Sequence, residues 1–327
     1  MGQNAEEQFL NCFRKATVFK LTNYPVFTIT GLDAVRYLHG RLTNNMKALK
    51  PGEGARSLML SPQGRVDGHV RVLRLADSFL IISDPVESSQ SFAERLFRYK
   101  VADQVEVKEN LGNVILSVQG PEAKRVLGLL LVTVAPEAQA LKHTYDAGMA
   151  IAYFPRGAVA NGYDCVLTAK LADEQLAKLK RYEAEGQFLF GNEESFEMLR
   201  IASGIPLFGK DINDRTIAAE LELDELVSFN KGCYVGQEVV EKASSRGKTS
   251  RKLRLLMAEE SIELSTGGTL TAKENGGEEA GEVTGSFTLP QAGRTFVLAT
   301  VKVAHGDNPL YCNGTRFQHV TGNTWAP

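Results

Sequence analysis

An α+β fold, with two related strand–helix units followed by a small all-β domain, is predicted by three observations. The pattern Gly-x-acid-Ala-x-x-x-Leu follows a strand-like run twice, at Gly31–Leu38 and at Gly120–Leu127. Strand and helix patterns are mixed up to the basic segment Arg246–Lys252. From about Leu253 onward, short apolar runs broken by glycine take over.

The elements follow in order. Val26–Ile29 reads as a strand, and Thr30-Gly31-Leu32-Asp33 resembles a capping box opening a helix with Leu32, Val35, Leu38 and Leu42 as its buried stripe. Ser61-Pro62-Gln63-Gly64 is a turn between two strands, and Asp84-Pro85 starts a helix carrying Phe92, Leu96 and Tyr99. Val114–Val118 is the strand of the second unit, and its helix runs through Leu127. Strands are then expected at Ile151–Phe154 and Tyr163–Thr168, and helices at Asp173–Glu185, Glu194–Ser203 and Gln237–Ala243. In the last part Asn275-Gly276 signals a hairpin, while Val283, Phe296–Val303 and Thr315–Val320 fit strands.

With 327 residues, 43% apolar and 23% charged, the chain suits two or three globular domains with a substantial core. A net charge of -2 provides no global attraction to nucleic acid or anionic membrane, so any such contact must be a local patch, and the sequence gives no strong evidence for direct nucleic-acid binding. No apolar run reaches membrane-span length, and the first residues resemble neither a signal peptide nor a myristoylation site. Cys12, Cys165, Cys233 and Cys312 are scattered without a Cys-x-x-Cys pair, which argues for a reducing, cytoplasmic setting. The five histidines are equally dispersed, and no self-contained metal-ligand set is expected.

Two polar constellations stand out. Lys231-Gly232-Cys233-Tyr234-Val235-Gly236-Gln237-Glu238 gathers a thiol, an ammonium, a carboxylate, an amide and a phenol. Cys233 lies just before an expected helix N-terminus and two residues from Lys231, and an electropositive setting of that kind favours a thiolate. The same octapeptide equally fits a rigid glycine turn around a small buried cysteine. The second constellation is the strand after Gly64. Period-two geometry puts Arg65, Asp67, His69 and Arg71 on one face, opposite Val66, Gly68, Val70 and Val72. That polar row is either a ligand-facing line of charges or the solvent face of an amphipathic strand. The Gly247-Lys248-Thr249 sequence is not a P-loop, because Lys242 stands where the first glycine is required.

Together these segments resemble the YgfZ-type folate-binding family, relatives of the glycine-cleavage T-protein (aminomethyltransferase). Lys231–Glu238 reads as that family's signature Lys-Gly-Cys-Tyr-x-Gly-Gln-Glu. Gly31-Leu32-Asp33-Ala34, Thr43-Asn44-Asn45, Gln119-Gly120-Pro121, Arg200 with Gly204-Ile205-Pro206, and Val227-Ser228-Phe229 agree with it as well. The resemblance implies a T-protein-like N-terminal lobe of two interwoven α/β subdomains (residues 1–248) and a C-terminal small β-barrel (residues 249–327). It implies tetrahydrofolate or a one-carbon derivative near the centre, and a role in assembling or repairing iron–sulfur clusters, including those of tRNA-modifying enzymes. Partners would be iron–sulfur proteins or assembly factors.

The resemblance transfers the family's functional thiol to Cys233. With a folate in the central cavity, Asp67 is the second catalytic candidate, and Arg65, His69, Arg71, Arg200, Lys231, Tyr234, Gln237 and Glu238 are the cofactor-binding candidates. Two departures accompany this. T-proteins have an Asp-Asp pair where this chain has Asp67-Gly68, and a pteridine-holding glutamate where it has Ala202. Ala202 cannot accept the paired hydrogen bonds that a pterin ring donates; Glu197, one helical turn before Arg200 and Ile201, fits either a substitute for it or a surface residue. Classical aminomethyl transfer is therefore the alternative reading, with the accessory role preferred.

Overall fold

Strands from distant parts of the chain share sheets, so the two halves of the lobe are interwoven. In the computed structural model, residues 4–85, 89–130, 136–146, 148–221, 224–246, 249–306 and 308–320 are described. A six-stranded sheet has the spatial order Leu189–Gly191, Thr17–Leu21, Val114–Gln119, Gly162–Leu167, Met149–Tyr153, His143–Asp146. A five-stranded sheet has the order Gly54–Leu60, Val66–Arg74, Phe79–Ser83, Val26–Thr30, Glu106–Glu109. The chain thus enters the first sheet at Thr17, builds the second, and returns at Val114. Six strands between Arg251 and His319 close a small barrel around Leu256, Leu270, Val283, Val297 and Phe317.

Each sheet has one face covered by helices and one turned inward. Helices Ala34–Arg41 and Ser89–Phe97 bury Leu38, Leu42, Phe92 and Leu96 against Phe27, Ile29, Val70 and Val72 of the five-stranded sheet. Helices Ala123–Leu129 and Ala169–Ala184 cover the six-stranded sheet at Val118, Ile151, Cys165 and Leu167. The remaining faces meet in one shared core, which includes Phe19, Ile115 and Val166 from one sheet and Leu73, Leu80 and Ile82 from the other. Helix Glu193–Ala202 and barrel residues Leu289, Phe296 and Leu298 close this core. Alternation along the strands then decides what else points inward.

The repeated glycine pattern has a common physical cause. Gly31 and Gly120 adopt φ of +115° and +135°, and a Cβ at either would overlap a backbone carbonyl, Gln104 in the first unit and Lys15 in the second. The acid two residues on donates its N–H to that same carbonyl, Asp33 at 3.2 Å and Glu122 at 3.0 Å. Each acid also pairs with the arginine three residues later, Arg36 or Arg125.

Several expectations are corrected. Leu32 is 89% exposed, and the buried stripe of its helix is Ala34, Tyr37, Leu38 and Leu42. The capping box does not form: Asp33 makes no side-chain cap bond, and its carboxylate accepts from the Gln104 N–H at 2.8 Å. Tyr99 lies beyond the helix that ends at Phe97. The solvent-face reading of strand Val66–Arg74 fails because Asp67, His69 and Arg71 are all buried. An unanticipated helix, Ala5–Arg14, is capped by Asn4, whose side chain accepts from the Glu7 N–H at 2.7 Å. Its Phe9 and Cys12 enter the shared core. Residues 247 and 248 of the basic segment lie outside the described residues.

Candidate functional site

The inward faces of the two sheets bring charge into the shared core. Strand Val66–Arg74 contributes His69 and Arg71, strand Gly54–Leu60 contributes Arg56, and strand Gly162–Leu167 contributes Asp164. Arg156 comes from the turn between the strands Met149–Tyr153 and Gly162–Leu167. Asp164 accepts from Arg71 and, at 3.1 Å, from Arg156. Asp84 accepts from His69 Nδ1 at 2.9 Å and from the Phe208 N–H at 2.9 Å. Aromatic rings form the walls. Arg156 lies over Phe154 (4.5 Å) and Phe196 (5.3 Å), and Arg71 over Phe154 (5.0 Å) and Tyr24 (5.8 Å).

This cluster is cationic and incompletely satisfied. Arg56, Arg71 and Arg156 face two buried carboxylates, Asp84 and Asp164. Glu225 approaches Arg56 only to 3.9 Å and is itself largely exposed. Burial pushes the Arg56 and Arg156 guanidiniums below the ordinary arginine range, against the pull of their acidic neighbours. Burial would raise Asp164, but Arg156 and Arg71 outweigh it and hold the carboxyl below its usual range. The Tyr24 phenol is pushed up to about 12 by burial, with Asp84 adding to the shift. Arg56 Nε and Nη2, Arg156 Nη1 and His69 Nε2 are buried without a partner among the described residues. A buried donor left unpaired costs on the order of 1–3 kcal/mol, and more when charged.

One cleft reaches this cluster at Arg56, and a second borders its aromatic walls. The first, of about 680 Å³, is lined by Asn44, Asn45, Arg56, Phe154, Gly157 and Ser203 among others. The second, of about 350 Å³, is lined by Phe19, Tyr24, Phe196, Glu197, Arg200 and Lys210 among others. Phe154 lines the first and Phe196 the second, with the Arg156 guanidinium over both rings. The residues present therefore fit a ligand with a planar ring and negatively charged ends.

The sequence candidates fall into three places. His69 and Arg71 belong to the buried cluster. Asp67 does not: the register of the strand pair shifts between Met59 and Leu60, beside Asp67, whose carboxylate meets Arg41 (3.0 Å) and Arg98 (3.6 Å). Arg65 precedes the strand, is exposed, and donates to the Arg215 carbonyl at 3.1 Å. The four residues are thus not one ligand-facing row. Arg200 braces the structure: it grips Glu197 at 2.7 and 2.8 Å and Asp211 at 2.6 Å, and Asp211 accepts from Thr284 of the barrel at 2.6 Å. Burial opposes its charge, yet these carboxylates raise its pKa. Ala202 is buried in the shared core and offers no acceptor.

The octapeptide forms a separate corner. Cys233 is exposed, whereas Cys12, Cys165 and Cys312 are buried. Burial raises all three of those thiols, Cys12 to about 12. Lys231 donates to the carbonyls of His39, Leu42 (2.5 Å) and Asn44 (3.0 Å), which uses all three ammonium protons away from the thiol. Burial lowers its pKa to about 8, with Lys47 adding to the shift. Tyr234 is buried beneath the Lys231 ammonium, 4.7 Å from its ring centre. Gln237 accepts from the Tyr234 N–H at 3.2 Å and donates to Glu241, while Glu238 is 88% exposed beside Lys242. Gly236 has φ +85°, and a Cβ there would meet the Ser61 carbonyl at 2.5 Å.

Arg56, Arg156, Asp164 and Tyr24 were not singled out from the sequence, where Asp84 reads only as a helix start; its carboxylate lies in the cluster and the helix spans Ser89–Phe97. Asp164 carried a readable signal, a lone carboxylate inside the otherwise apolar run Tyr163–Leu167.

A family model described as the GCVT N-terminal domain matches residues 1–231. The chain belongs to that family. It is 27% identical to the tRNA-modifying protein YgfZ of Sodalis glossinidius over 79% of this chain and 76% of the relative. The corresponding YgfZ of Escherichia coli O157:H7 is 26% identical over 73% of this chain and 71% of its own. An aminomethyltransferase of Streptomyces coelicolor is 26% identical, with 89% of this chain and 79% of the relative covered. The fold matches that of glycine cleavage system aminomethyltransferase T from Bartonella henselae at TM-score 0.86 and 20% identity, covering 98% of this GCVT-family chain and 88% of that one. Among the described residues no helix is long and apolar enough to cross a membrane, and no group of three or more His, Cys, Asp and Glu is placed to hold a metal ion.

Proposed function

We propose that this protein is a folate-binding accessory factor for iron–sulfur cluster assembly or repair in the cytoplasm, supporting cluster enzymes such as those that modify tRNA. The observation that carries the folate half is the set of buried, unpartnered donors between aromatic walls. The glutamate carboxylates of tetrahydrofolate or a one-carbon derivative would meet Arg56 and Arg156, and its planar ring would rest against Tyr24, Phe154 or Phe196. Bound tetrahydrofolate supplies a nitrogen able to carry a one-carbon unit. Glu197 lines the smaller cleft and is held ionised by Arg200 and Lys210; these cations engage both of its oxygens, so it offers a ring only its remaining lone pairs in place of the carboxylate missing at Ala202. The relatives described as tRNA-modifying support the second half, with Cys233 as the accessible thiol facing iron–sulfur partners.

Calorimetric titration with tetrahydrofolate and its methyl and formyl derivatives tests the cofactor. Binding by at least one of them is expected, weakened at least tenfold in Arg156→Gln, and no binding by any of them removes folate from the account. Cells carrying Cys233→Ala should lose cluster-enzyme activity, whereas wild-type activity would end the role of the thiol. The pairing of Asp67 with Arg41 and Arg98 weighs against aminomethyl transfer. Folate-dependent turnover of an aminomethyl donor is accordingly not expected.

A further inference from the structure

A second cationic cluster surrounds Asp67 and shares no guanidinium with the one above. Arg41, fully buried at the end of its helix, donates to the Leu60 carbonyl (2.7 Å), to Asp67 (3.0 Å) and to the Arg95 carbonyl (3.0 Å). Arg95, on helix Ser89–Phe97, donates through Nη1 to Ser91 at 2.7 Å and lies over Phe208 at 5.4 Å. Arg98, half exposed, reaches Asp67 at 3.6 Å. Arg41 Nε and both Nε and Nη2 of Arg95 are buried with no partner among the described residues.

Nε and Nη2 form the side-on edge of a guanidinium, two parallel N–H groups spaced for the oxygens of one oxyanion. Arg200 shows what such an edge holds in this molecule, since its Nε and Nη2 grip the two oxygens of Glu197 at 2.7 and 2.8 Å. At Arg95 the same edge meets no acceptor among the described residues. Charge balance narrows the ligand. Among the described residues Arg41 and Arg98 meet one carboxylate, Asp67, and Arg95 on the adjoining helix adds a third guanidinium; that leaves two positive charges, which a dianion neutralises and a carboxylate does not.

We propose that Arg95, with Arg41 and Arg98, forms a binding site for a doubly charged phosphoryl group, either inorganic phosphate or a small phosphate ester. In this site Asp67 positions Arg41 and Arg98 while opposing the anion, so it tunes affinity and supplies no base. The inference goes beyond the folate reading and survives its failure, because the two clusters use different arginines.

The test is calorimetric titration of the full chain in chloride buffer with inorganic phosphate, glycerol 3-phosphate and acetate. Saturable binding of phosphate or the ester is expected, with acetate at least tenfold weaker. The stronger of the two phosphoryl ligands identifies the source. Arg95→Gln removes two charge-assisted hydrogen bonds and should weaken binding by about 10- to 100-fold. Arg98→Gln, at a half-exposed position that folding tolerates, should weaken it several-fold. Asp67→Asn should tighten it, and Arg156→Gln should leave it unchanged. Overturning results are no saturable phosphoryl binding by the wild type, acetate binding as strong as phosphate, or wild-type affinity in both Arg95→Gln and Arg98→Gln. Weaker or unchanged binding in Asp67→Asn would equally contradict the charge balance, and loss of phosphate binding in Arg156→Gln would merge the two clusters into one site.

Discussion

At the residue scale, the octapeptide divides into residues that hold it and one that faces outward. Lys231 ties the segment to the end of helix Ala34–Arg41 through three carbonyls, and Gly236 lets the chain pass against the turn at Ser61. Lys231→Met keeps most of the aliphatic stem but leaves those carbonyls unpaired. It should cost about 2–3 kcal/mol in urea denaturation, within the range for hydrogen bonds to a charged group. A loss below about 0.5 kcal/mol would mean that water replaces the ammonium. Glu197 gives a pH signature. Burial alone would raise its pKa, but hydrogen bonds and charge from Arg200 and Lys210 bring it from 4.5 down to about 2. A carboxylate depressed on folding stabilises fully above its unfolded pKa and loses that contribution as pH falls through the folded value. Wild-type stability should therefore fall between about pH 4.5 and 2 more steeply than that of Glu197→Gln. Parallel acid-unfolding curves would show that the pair contributes nothing to stability.

Elements were legible where a local pattern is enough to define them. Strands Val26–Thr30 and Val114–Gln119, helix Glu193–Ala202 and the repeated glycine turn all lie where periodicity and punctuation put them. The ends of elements were harder to read. Leu32 sits in the helical register, yet Gly31 has already turned the chain, and Asp33 spends its carboxylate on Gln104 far along the sequence. The central charge cluster was half legible for a related reason. His69 and Arg71 share one strand and Arg56 sits opposite Arg71 on the neighbouring strand, whereas Arg156 and Asp164 join them only after the two sheets face each other. Partners Arg41 and Arg98 likewise reach Asp67 from other elements, and no period along one strand reveals them. The glycine turn also yields a paired prediction. Gly31→Ala and Gly120→Ala each force a Cβ into a carbonyl at positive φ, so each should cost at least about 2 kcal/mol by thermal denaturation. A large effect at only one of them would show that the two turns are not mechanically equivalent.

For the whole molecule, the question is how the barrel is held on the interwoven lobe. Apolar packing provides the area, with Phe9 against Phe287 and Leu289, Phe296 and Leu298 in the shared core. Direction comes from a polar chain running from Lys210 and Glu197 through Arg200 and Asp211 to Thr284 on strand Glu279–Leu289. Asp211 is buried and also accepts from the Leu207 N–H at 3.0 Å, so one carboxylate fixes a helix, a loop and the barrel. The smaller cleft is bounded by Glu197, Arg200, Leu207 and Lys210, and its shape therefore depends on barrel docking. Removing Asp211 leaves the Arg200 charge short of a buried partner, an outcome worth about 3–5 kcal/mol. Thr284→Val removes only the barrel's end of the chain and should cost about 1 kcal/mol. Both variants should speed amide hydrogen exchange in strand Arg294–Lys302 before strand Gly162–Leu167, because the barrel loosens while the six-stranded sheet keeps its own core. If exchange instead accelerates equally in both strands, lobe and barrel unfold as one cooperative unit and the Arg200 chain is not what docks them.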